Sequence, residues 1–511
     1  MQLRSLRAVV ALLLVLVLSG PVSASGHRKE THKESPKELA RQIDALLEQP
    51  TASRAAWGIA VEDLATGAVV YSHDAERLFT PASNAKLFTT ATAWARLGAA
   101  YQFHTTLESA TAPDQYGRLA GDLVLVGRGD PNLSGRALPY EGKTQRPFPP
   151  DQALAALADQ LAARGVKVID GDLVADDSFY SNERYGQGWA QNDLVWEYGA
   201  AVSALAINDN AVFVNIKPGA KEGDRAFVSL APAAEYFDID NRITTSATGE
   251  RKLGLQRELG SRHVELWGAI PLTDAGTSLA VALEDPAEYC ARLLHELLLR
   301  RGIEMHGKVR VHHSATPPES APLAAPARVV LAEHVSAPLG QDLMVINKVS
   351  QNLHAEMLLR LLGREKGTGG SIAGGLQVVK EFLSEAGISP DEFAFYDGSG
   401  LSRQNLVTPH ATVKLLRYSA QQPWGADFAA TLPVAGTDGT LAGRLKSLPA
   451  GAVVQAKTGT LDHVNAISGY LTTVRGERYA FAIFCNNNTL ENHGASQVID
   501  AILAAVANAK N

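Results

Sequence analysis

The sequence predicts an α+β protein of more than one domain, and three observations support this class. The chain has 511 residues, of which 46% are hydrophobic, enough for two or three separate cores. A β-hairpin is predicted near the N-terminus, where residues 57–62 and 68–71 flank a turn. Three further strands are predicted near the C-terminus, at residues 453–459, 466–472 and 479–485, and helical patterns separate the two sets of strands.

The N-terminus has the pattern of a secretory signal peptide. A basic start precedes an uncharged apolar run over residues 8–18, and small residues lead up to Ala24. A retained membrane anchor is the alternative, but this run is too short to span a bilayer, and no cysteine follows that could carry a lipid. We therefore expect an exported protein, periplasmic or extracellular, with residues 1–24 cleaved and residues 25–38 forming a mobile leader.

The charge and the cysteine content argue against several classes of partner and against a framework of disulfide bonds. Two of the 47 basic residues lie in the signal peptide, so against 54 acidic residues the mature chain has a net charge of about −9. This charge argues against a nucleic-acid partner and against a polybasic membrane surface. Cys290 falls in a predicted helix and Cys485 in a predicted strand, so we expect two separate buried thiols, with a disulfide as the alternative.

A serine and a lysine lie together at the start of a predicted helix. The helical pattern runs from Asn84 to about Leu97, and Gly98 ends it. Ser83 and Lys86 are three residues apart, so hydroxyl and amine share one face, about 5–6 Å apart at Cβ. The helix N-terminus also offers unpaired N–H groups to an oxyanion. The pair suits acyl transfer without a catalytic histidine, although the pattern alone is also typical of an ordinary surface helix start.

Residues 101–328 are predicted to form short strands and turns, and they contain one internal repeat. Residues 149–174 and 285–311 each run through helix, Arg-Gly and strand, which predicts one α+β subdomain built from both copies. The second copy contains the best histidine cluster of the chain, His306, His312 and His313. These histidines lack acidic or cysteine partners at ligand spacing, so we interpret them as surface histidines rather than a metal site. The Ala/Pro-rich residues 315–326 are predicted to be a linker.

The last third of the chain carries two further polar motifs. A long helix is predicted over residues 341–362, and it contains Ser-Gln-Asn at residues 350–352. A glycine-rich loop follows at residues 397–403; it does not open a helix after a strand, so we reject nucleotide binding. Lys-Thr-Gly-Thr at residues 457–460 lies on a predicted strand. A closing amphipathic helix over residues 496–509 is expected to pack on the sheet rather than on a membrane.

The three motifs together carry far more information than each alone. Ser-x-x-Lys, Ser-x-Asn and Lys-Thr-Gly-Thr occur in this order, on a helix start, in a helical region and on a strand. In an exported protein this combination resembles the penicilloyl-serine transferase superfamily, which contains penicillin-binding proteins and serine β-lactamases. Gln351 stands where the best-known members have Asp, while the contacting positions Ser350 and Asn352 are kept.

Further features narrow the resemblance to one group. They are a large insertion between the first two motifs, a GxGDP turn at residues 127–131, the Gly188-Trp189 segment, the loop at residues 397–403 and Pro-x-Ala-Gly-x-Asp-Gly-Thr at residues 433–440. All of them resemble the class C low-molecular-mass penicillin-binding proteins, which are D-alanyl-D-alanine carboxypeptidase/endopeptidases. The resemblance covers nearly the whole mature chain.

The resemblance implies a split catalytic domain of the penicillin-binding and serine β-lactamase type. Its five-stranded antiparallel sheet would combine the N-terminal hairpin with the C-terminal strands and would be flanked by helices. Residues 39–100 and 329–511 would form the two parts of this domain. Residues 101–328, called the inserted region below, would form one or two additional modules.

The resemblance also implies catalytic roles. Ser83 Oγ would attack the carbonyl of the D-Ala-D-Ala bond. Lys86 would take its proton, with a pKa lowered by burial and by the nearby Lys457 cation. Ser350 would lie on the proton path to the leaving amine, and Asn352 would hold Lys86 and the substrate amide.

Substrate binding would fall mainly to the strand motif. Lys457, with Thr458 and Thr460, would face the free C-terminal carboxylate of the substrate, and Gly459 of the same motif is also assigned to substrate binding. The N–H groups of Ser83 and Thr460 would form an oxyanion hole, each worth about 3–4 kcal/mol in the transition state.

Asp193 is the remaining candidate. In diaminopimelate-specific relatives an acidic residue after the Gly-Trp segment binds the free amino end of the peptide, and Asp193 occupies the resembling place. An aspartate that caps a helix or turn is an equal alternative, and the sequence leaves both open.

The function implied is a serine DD-peptidase that acts on peptidoglycan stem peptides or cross-links through an acyl-enzyme. β-Lactam inhibitors would acylate it, and no cofactor or metal is implied. A serine β-lactamase and a catalytically silent peptidoglycan-binding scaffold are the alternatives. The large insertion and the lack of a distinct deacylation glutamate argue against the first, and three complete motifs argue against the second. The deacylation base, the balance of carboxypeptidase and endopeptidase activity, the role of the inserted region and the oligomeric state stay open.

Overall fold

The computed structural model describes residues 36–233, 235–314, 327–490 and 494–509. The predicted signal peptide, the leader up to residue 35 and the predicted linker at residues 315–326 lie outside the described residues. Among the described residues, no helix combines the length and the apolar character needed to cross a bilayer.

The described residues form strands and helices along the whole chain, numbered here in chain order. The strands are β1 (Ala56–Asp63), β2 (Val69–His73), β3 (His104–Ser109), β4 (Arg118–Leu119), β5 (Leu123–Val126), β6 (Val168–Ile169), β7 (Leu173–Asp176), β8 (Ala211–Lys217), β9 (Phe227–Ala231), β10 (Asp238–Ser246), β11 (Lys252–Gln256), β12 (His263–Pro271), β13 (Thr277–Ala282), β14 (Glu304–Met305), β15 (Val309–His312), β16 (Val329–Val335), β17 (Phe393–Ala394), β18 (Leu406–Val407), β19 (Val453–Leu461), β20 (Val464–Thr472) and β21 (Arg478–Asn486). The α-helices are α1 (Pro36–Leu47), α2 (Ala85–Leu97), α3 (Gln152–Ala163), α4 (Pro286–Arg300), α5 (Leu339–Lys348), α6 (Asn352–Lys366), α7 (Ile372–Glu385), α8 (Pro409–Ala420), α9 (Gly425–Ala430) and α10 (Gly494–Asn508).

A five-stranded antiparallel sheet joins the two ends of the chain. Its order is β19-β20-β21-β1-β2, so the N-terminal hairpin and the three C-terminal strands form one sheet, as the resemblance implied. Side chains alternate between its faces. Ile59 and Ile483 face a core shared with α1 and α10, while Ala60 and Phe484 face a core shared with α2, α6 and α8. The sheet is therefore buried on both sides, and the closing helix packs on it as predicted.

The single helix predicted over residues 341–362 is wrong, because the chain forms α5 and α6 with a break between them. Ser350 in this break has φ +64°, a left-handed conformation that an α-helix interior cannot contain. The side chain of Gln351 accepts a hydrogen bond from the Leu353 N–H at 2.9 Å and so caps the start of α6. The second motif therefore lies on a turn between two helices rather than along one helix face.

The inserted region contains a second five-stranded sheet, with order β15-β7-β5-β3-β16, on which α3 and α4 pack. The two copies of the internal repeat lie side by side in this subdomain. β7 and β15 are parallel neighbours, with Leu173 opposite Val309, and β6 and β14 pair in the same way. Both copies thus build one subdomain, as the repeated pattern predicted.

Each of the three clustered histidines meets an aspartate on or directly after β6 or β7. The pairs are His306 with Asp170 at 3.2 Å, His312 with Asp176 at 3.2 Å and His313 with Asp177 at 2.8 Å. The sequence reading gave these histidines no acidic partners, but parallel pairing of the two copies supplies them. His306 and His312 are exposed as expected, while His313 is half-buried because it also contacts Asp285.

The chain enters and leaves the second sheet at one place. β16 pairs antiparallel with β3, and Val335 lies opposite His104. The sheet therefore extends past residue 328, where the sequence placed the end of the inserted region. Because entry and exit are neighbours, the inserted region attaches to the catalytic part without separating its two halves.

The remaining strands of the inserted region form three small three-stranded sheets, β14-β6-β4, β13-β8-β9 and β10-β12-β11. The last two share one apolar core. Cys290 in α4 and Cys485 in β21 are free and buried, as expected, and burial raises the pKa of both thiols.

Candidate active site

The serine of the first motif lies on a tight backbone turn that precedes α2. Ser83 belongs to a single 3₁₀ turn, Ala82–Asn84, and Ala82 has φ +47°. The loop at residues 397–403 presses against this turn. A Cβ on Gly400, which has φ +84°, would stand 1.9 Å from the Ala82 carbonyl oxygen. Glycine is therefore required there, because only a bare backbone fits against the turn that positions Ser83.

Lys86 joins three separate segments of the chain. Its side chain is fully buried, and Nζ donates to Ser83 Oγ at 2.9 Å, to Asn352 Oδ1 at 2.6 Å and to the Ser399 carbonyl at 2.7 Å. Three oxygens match the three hydrogen-bond positions of an ammonium group. The first and second motifs thus meet at this nitrogen, together with the loop at residues 397–403.

Lys457 joins the second motif to the third. Its Nζ donates to Ser350 Oγ at 2.8 Å and to the Thr458 carbonyl at 2.7 Å, and its side chain is also fully buried. Thr458 Oγ1 donates to Thr440 Oγ1 at 2.6 Å, which ties β19 to the Gly-Thr segment after residue 438. The five predicted catalytic residues therefore form two hydrogen-bonded groups, Ser83–Lys86–Asn352 and Ser350–Lys457, and Ser350 and Asn352 lie two residues apart at the same break between helices.

Burial governs the protonation of both lysines. It lowers the pKa of Lys86 to about 7, although the carboxylates of Asp397 and Glu356 act in the opposite direction. Burial, followed by the charge of Lys86, holds the pKa of Lys457 well below its ordinary value. The sequence predicted that burial and the Lys457 cation would both lower the pKa of Lys86. Burial does so, while the repulsion between the two lysines lowers the pKa of Lys457.

The strand β19 passes directly beside the serine. A Cβ on Gly459 would lie 2.7 Å from the Pro81 carbonyl oxygen and 3.0 Å from the Ser83 nitrogen. A side chain there would push the strand away from the turn that carries Ser83. The glycine of the third motif therefore permits close approach of two backbones, next to Thr460.

Glu356 is a site residue that the sequence reading missed. It is fully buried, and its Oε1 accepts hydrogen bonds from Gly398 N–H at 2.9 Å and Ser399 N–H at 2.8 Å. These bonds fix the peptide whose carbonyl accepts from Lys86. Glu356 follows Asn352 by four residues, so their shared face of α6 was a usable signal.

The inserted region reaches the site through the segment after Gly188. Trp189 Nε1 donates to Asp397 Oδ2 at 2.9 Å, and the Tyr198 carbonyl accepts from Asn352 Nδ2 at 2.8 Å. Asp193 lies in a short 3₁₀ turn, is 7% exposed and accepts a hydrogen bond from the Tyr198 hydroxyl at 3.4 Å. It is thus near the site but outside the hydrogen-bonded cluster around the lysines.

A buried ionic cluster lies behind the second motif. His354 is fully buried; its Nδ1 lies 2.7 Å from Asp342 Oδ1 and its Nε2 lies 3.1 Å from Asp209 Oδ1. Burial favours the neutral imidazole, but the carboxylates of Asp342 and Asp209 outweigh it and raise the pKa of His354 to about 9. His354 is therefore a buried cation at neutral pH.

Comparison with known proteins gives one consistent result. The D-Ala-D-Ala carboxypeptidase 3 (S13) family matches residues 39–509. The D-alanyl-D-alanine carboxypeptidase of Actinomadura sp. (strain R39) is 37% identical over 464 residues, 88% of this chain and 81% of that protein. D-Alanyl-D-alanine carboxypeptidase DacB of Haemophilus influenzae is 29% identical over 84% of this chain and 85% of its own length. The crystal structure of penicillin binding protein 4 from H. influenzae superposes with a TM-score of 0.75 at 26% identity, covering 91% of this chain and 98% of that one.

We expect the protein to lose stability at alkaline pH, where His354 loses its proton. Because its folded-state pKa is raised from 6.5 to about 9, its contribution is complete below pH 6.5 and disappears as pH rises through about 9. The loss is up to about 3 kcal/mol. Urea unfolding at a series of pH values will show this fall in the parent chain. Replacement His354→Gln should make it smaller by this amount and leave the part due to His313, whose pKa is also raised to about 9, whereas His104→Gln, at an exposed histidine, should leave the fall unchanged. An unchanged alkaline fall in His354→Gln would contradict the assignment.

Proposed function

We propose a residue-level mechanism for this chain, which belongs to the D-Ala-D-Ala carboxypeptidase 3 (S13) family. The chain is a serine DD-peptidase and a class C low-molecular-mass penicillin-binding protein. In the proposed mechanism Ser83 Oγ attacks the carbonyl carbon of the D-Ala-D-Ala bond, the terminal D-Ala leaves, and water hydrolyses the resulting ester. One observation carries the proposal: a buried amine, Lys86 Nζ, lies 2.9 Å from Ser83 Oγ.

Lys86 is the proposed base for the attack. With a pKa of about 7, a large fraction of its amine is neutral at physiological pH and can take the proton from Ser83 Oγ. Asn352 Oδ1 and the Ser399 carbonyl hold the amine in place while its bond to Ser83 changes direction. The proton therefore moves over a single existing hydrogen bond.

Ser350 and Lys457 are the proposed route for returning a proton to the leaving amine. Their hydrogen bond of 2.8 Å places a hydroxyl and a second amine together. A substrate that binds with its free carboxylate toward Lys457 raises the pKa of this lysine, because the negative charge stabilises the ammonium form.

We assign the oxyanion hole to the backbone N–H groups of Ser83 and Thr460. The close approach of Gly459 to Ser83 supports this assignment, because it brings β19 against the start of α2. Preorganised donors of this kind are worth about 3–4 kcal/mol each in the transition state. Thr458 and Thr460 line the same strand and, with Lys457, are assigned to the substrate carboxylate.

The substrate proposed is the D-Ala-D-Ala end or cross-link of peptidoglycan stem peptides, and β-lactams are the proposed inhibitors. A second structure of the H. influenzae penicillin binding protein 4 contains a bound β-lactam. The named relatives are D-alanyl-D-alanine carboxypeptidases. We propose an exported protein, cleaved after residue 24, with residues 39–100 and 329–511 as the catalytic domain and residues 101–328 inserted, where β16 at the start of the second part lies in the sheet of the inserted region.

For Asp193 we propose contact with a free ammonium group on the substrate side chain. Its carboxylate lies next to Tyr198, whose backbone carbonyl holds Asn352, so a peptide bound against Asn352 extends toward it. A carboxylate in this position favours a cationic side chain over a neutral one.

The first test is intact mass after exposure to benzylpenicillin. Opening of the lactam by Ser83 retains every atom of the drug, so we expect a persistent mass increase of one whole penicillin on the parent chain and none on Ser83→Ala. Loss of the drug without an adduct would indicate a β-lactamase instead. An adduct on Ser83→Ala would exclude Ser83 as the nucleophile.

A second test is the pH dependence of this acylation. Lys86 must be neutral to act as a base, so the second-order rate constant should rise as pH increases through about 7 and level off above it. Below that pKa we expect about a tenfold fall per pH unit. Quenched-flow samples between pH 5 and 9 analysed by mass will give the profile. A rate constant that first rises near pH 10, the range of an ordinary lysine, would contradict the role of Lys86.

A third test concerns Asp193. Two stem-peptide substrates that differ only in acetylation of the side-chain amine form the matched pair. In the parent chain the free amine should lower KM, and Asp193→Asn should remove this preference, by a factor of about 10–100 for a charge-assisted hydrogen bond. Equal losses on both peptides would instead assign Asp193 a purely structural role.

A further inference from the structure

The turn that carries Ser350 has an unfavourable backbone conformation. Ser350 has φ +64°, in the left-handed region that residues with a side chain rarely adopt. Such a turn persists only where its surroundings hold it. Within the described residues, the Ser350 hydroxyl has one side-chain partner, Lys457, so we look for the support in its chain neighbours.

Asn352, the other motif residue on this turn, has its own direct supports. Its Oδ1 accepts from Lys86 Nζ at 2.6 Å, and its Nδ2 donates to the Tyr198 carbonyl at 2.8 Å. Both ends of its amide are therefore fixed without help from the turn. Ser350 lacks a second side-chain contact of this kind and depends on the residue that follows it.

Gln351 provides that support by bridging two elements. Its Oε1 accepts from the Leu353 N–H at 2.9 Å, and its Nε2 donates to Asp209 Oδ2 at 3.0 Å. The amide is thus held at both ends, once by the start of α6 and once by the inserted region. Gln351 is the position between the two contacting residues of the motif, where an aspartate would have no hydrogen to donate to Asp209.

Asp209 is itself held rigidly. It is the centre of three consecutive residues with positive φ, Asn208 at +51°, Asp209 at +56° and Asn210 at +52°. The two flanking asparagine side chains bond to backbone carbonyls of Ala211 and Ala201 at 2.9 and 2.8 Å. Left-handed backbone is rare in three successive residues that carry side chains, and it aims one carboxylate at the catalytic part.

The carboxylate of Asp209 is fully ionised in the folded protein. It is 1% exposed and accepts hydrogen bonds from Arg136 at 2.6 and 2.8 Å, from Arg146 and from His354 at 3.1 Å. Burial raises the pKa of Asp209, but these cations outweigh it and hold that pKa well below its usual range. A permanent, immobile acceptor is therefore available to Gln351.

We propose that Asp209 is a positioning residue for Ser350: through the side chain of Gln351 it holds the left-handed turn so that Ser350 Oγ stays within hydrogen-bond distance of Lys457. The inference rests on the proposed function, in which Ser350 lies on the proton path to the leaving group. It makes the inserted region a functional part of the catalytic site, since Asp209 belongs to that region and acts through one hydrogen bond.

The experiment removes the hydrogen bond from Gln351 to Asp209. Asp209→Asn is unsuitable alone, because it leaves Arg136 and Arg146 against a neutral group and risks unfolding the chain. Gln351→Met removes both hydrogen bonds of the amide at similar size. Gln351→Asn keeps a good helix-capping residue but is one methylene too short to reach Asp209. Gln160→Met is the matched control, because Gln160 also bridges two elements through both ends of its amide, at the backbone of Glu333 and away from the site.

The measurement is the rate constant for acylation of Ser83 by benzylpenicillin. We expect about a tenfold loss in Gln351→Met and in Gln351→Asn, and no loss in Gln160→Met. The same Gln351 substitutions are then made in a Ser350→Ala background, where a residue that acts through Ser350 has nothing further to remove. In that background the Gln351 substitutions should change the acylation rate constant by a factor close to one. The thermal midpoint of every variant is measured as well.

Three outcomes would overturn the inference. Parent-like acylation in Gln351→Asn would show that capping of α6 is sufficient. An equal loss from Gln351→Met with and without Ser350 would show that Asp209 acts on the fold and not through Ser350. Parent-like acylation in Ser350→Ala alone would instead remove the proposed role of Ser350, and the inference with it; this result is distinguishable because no Gln351 variant is involved.

Discussion

A fully buried lysine is the constraint on which the rest of this structure depends. Because Lys86 is fully buried, its Nζ needs a protein oxygen at each of its hydrogen-bond positions. Those oxygens come from Ser83, Asn352 and Ser399, which are far apart in the chain. α2, α6 and the loop at residues 397–403 must therefore meet at one point. The glycine at position 400 and the buried carboxylate of Glu356 are both explained by this requirement.

The second buried lysine, Lys457, adds charge repulsion to the effect of burial in this site. Burial disfavours the charge on both lysines, and two neighbouring ammonium groups also repel each other, so the pKa of each lysine is lowered. In the proposed mechanism the attack by Ser83 needs a neutral Lys86. The same burial that lowers the pKa of Lys86 therefore suits it to the proposed role of base.

The sequence was sufficient wherever a short segment determines its own structure. The Ser83 helix start, the hairpin and the C-terminal strands depend on local patterns, and the motif spacing identified the five residues proposed to be catalytic. The predicted helix over residues 341–362 was wrong because its periodicity is genuinely helical. The break at Ser350 is imposed by contacts of Gln351 and Asn352 with distant segments. Asp209, Tyr198 and Glu356 were missed for the same reason, since their roles exist only after the chain has folded.

The inserted region shows how a large addition becomes part of a catalytic site. Its chain enters and leaves at neighbouring strands, with Val335 opposite His104, so its attachment does not disturb the central sheet. An inserted region that is attached in this way does not need to contact the active site. Instead, Trp189 fixes the loop at residues 397–403, and the Tyr198 carbonyl fixes Asn352. The catalytic part alone would leave Asn352 and Asp397 without these partners, so the geometry of the site is a property of both regions together.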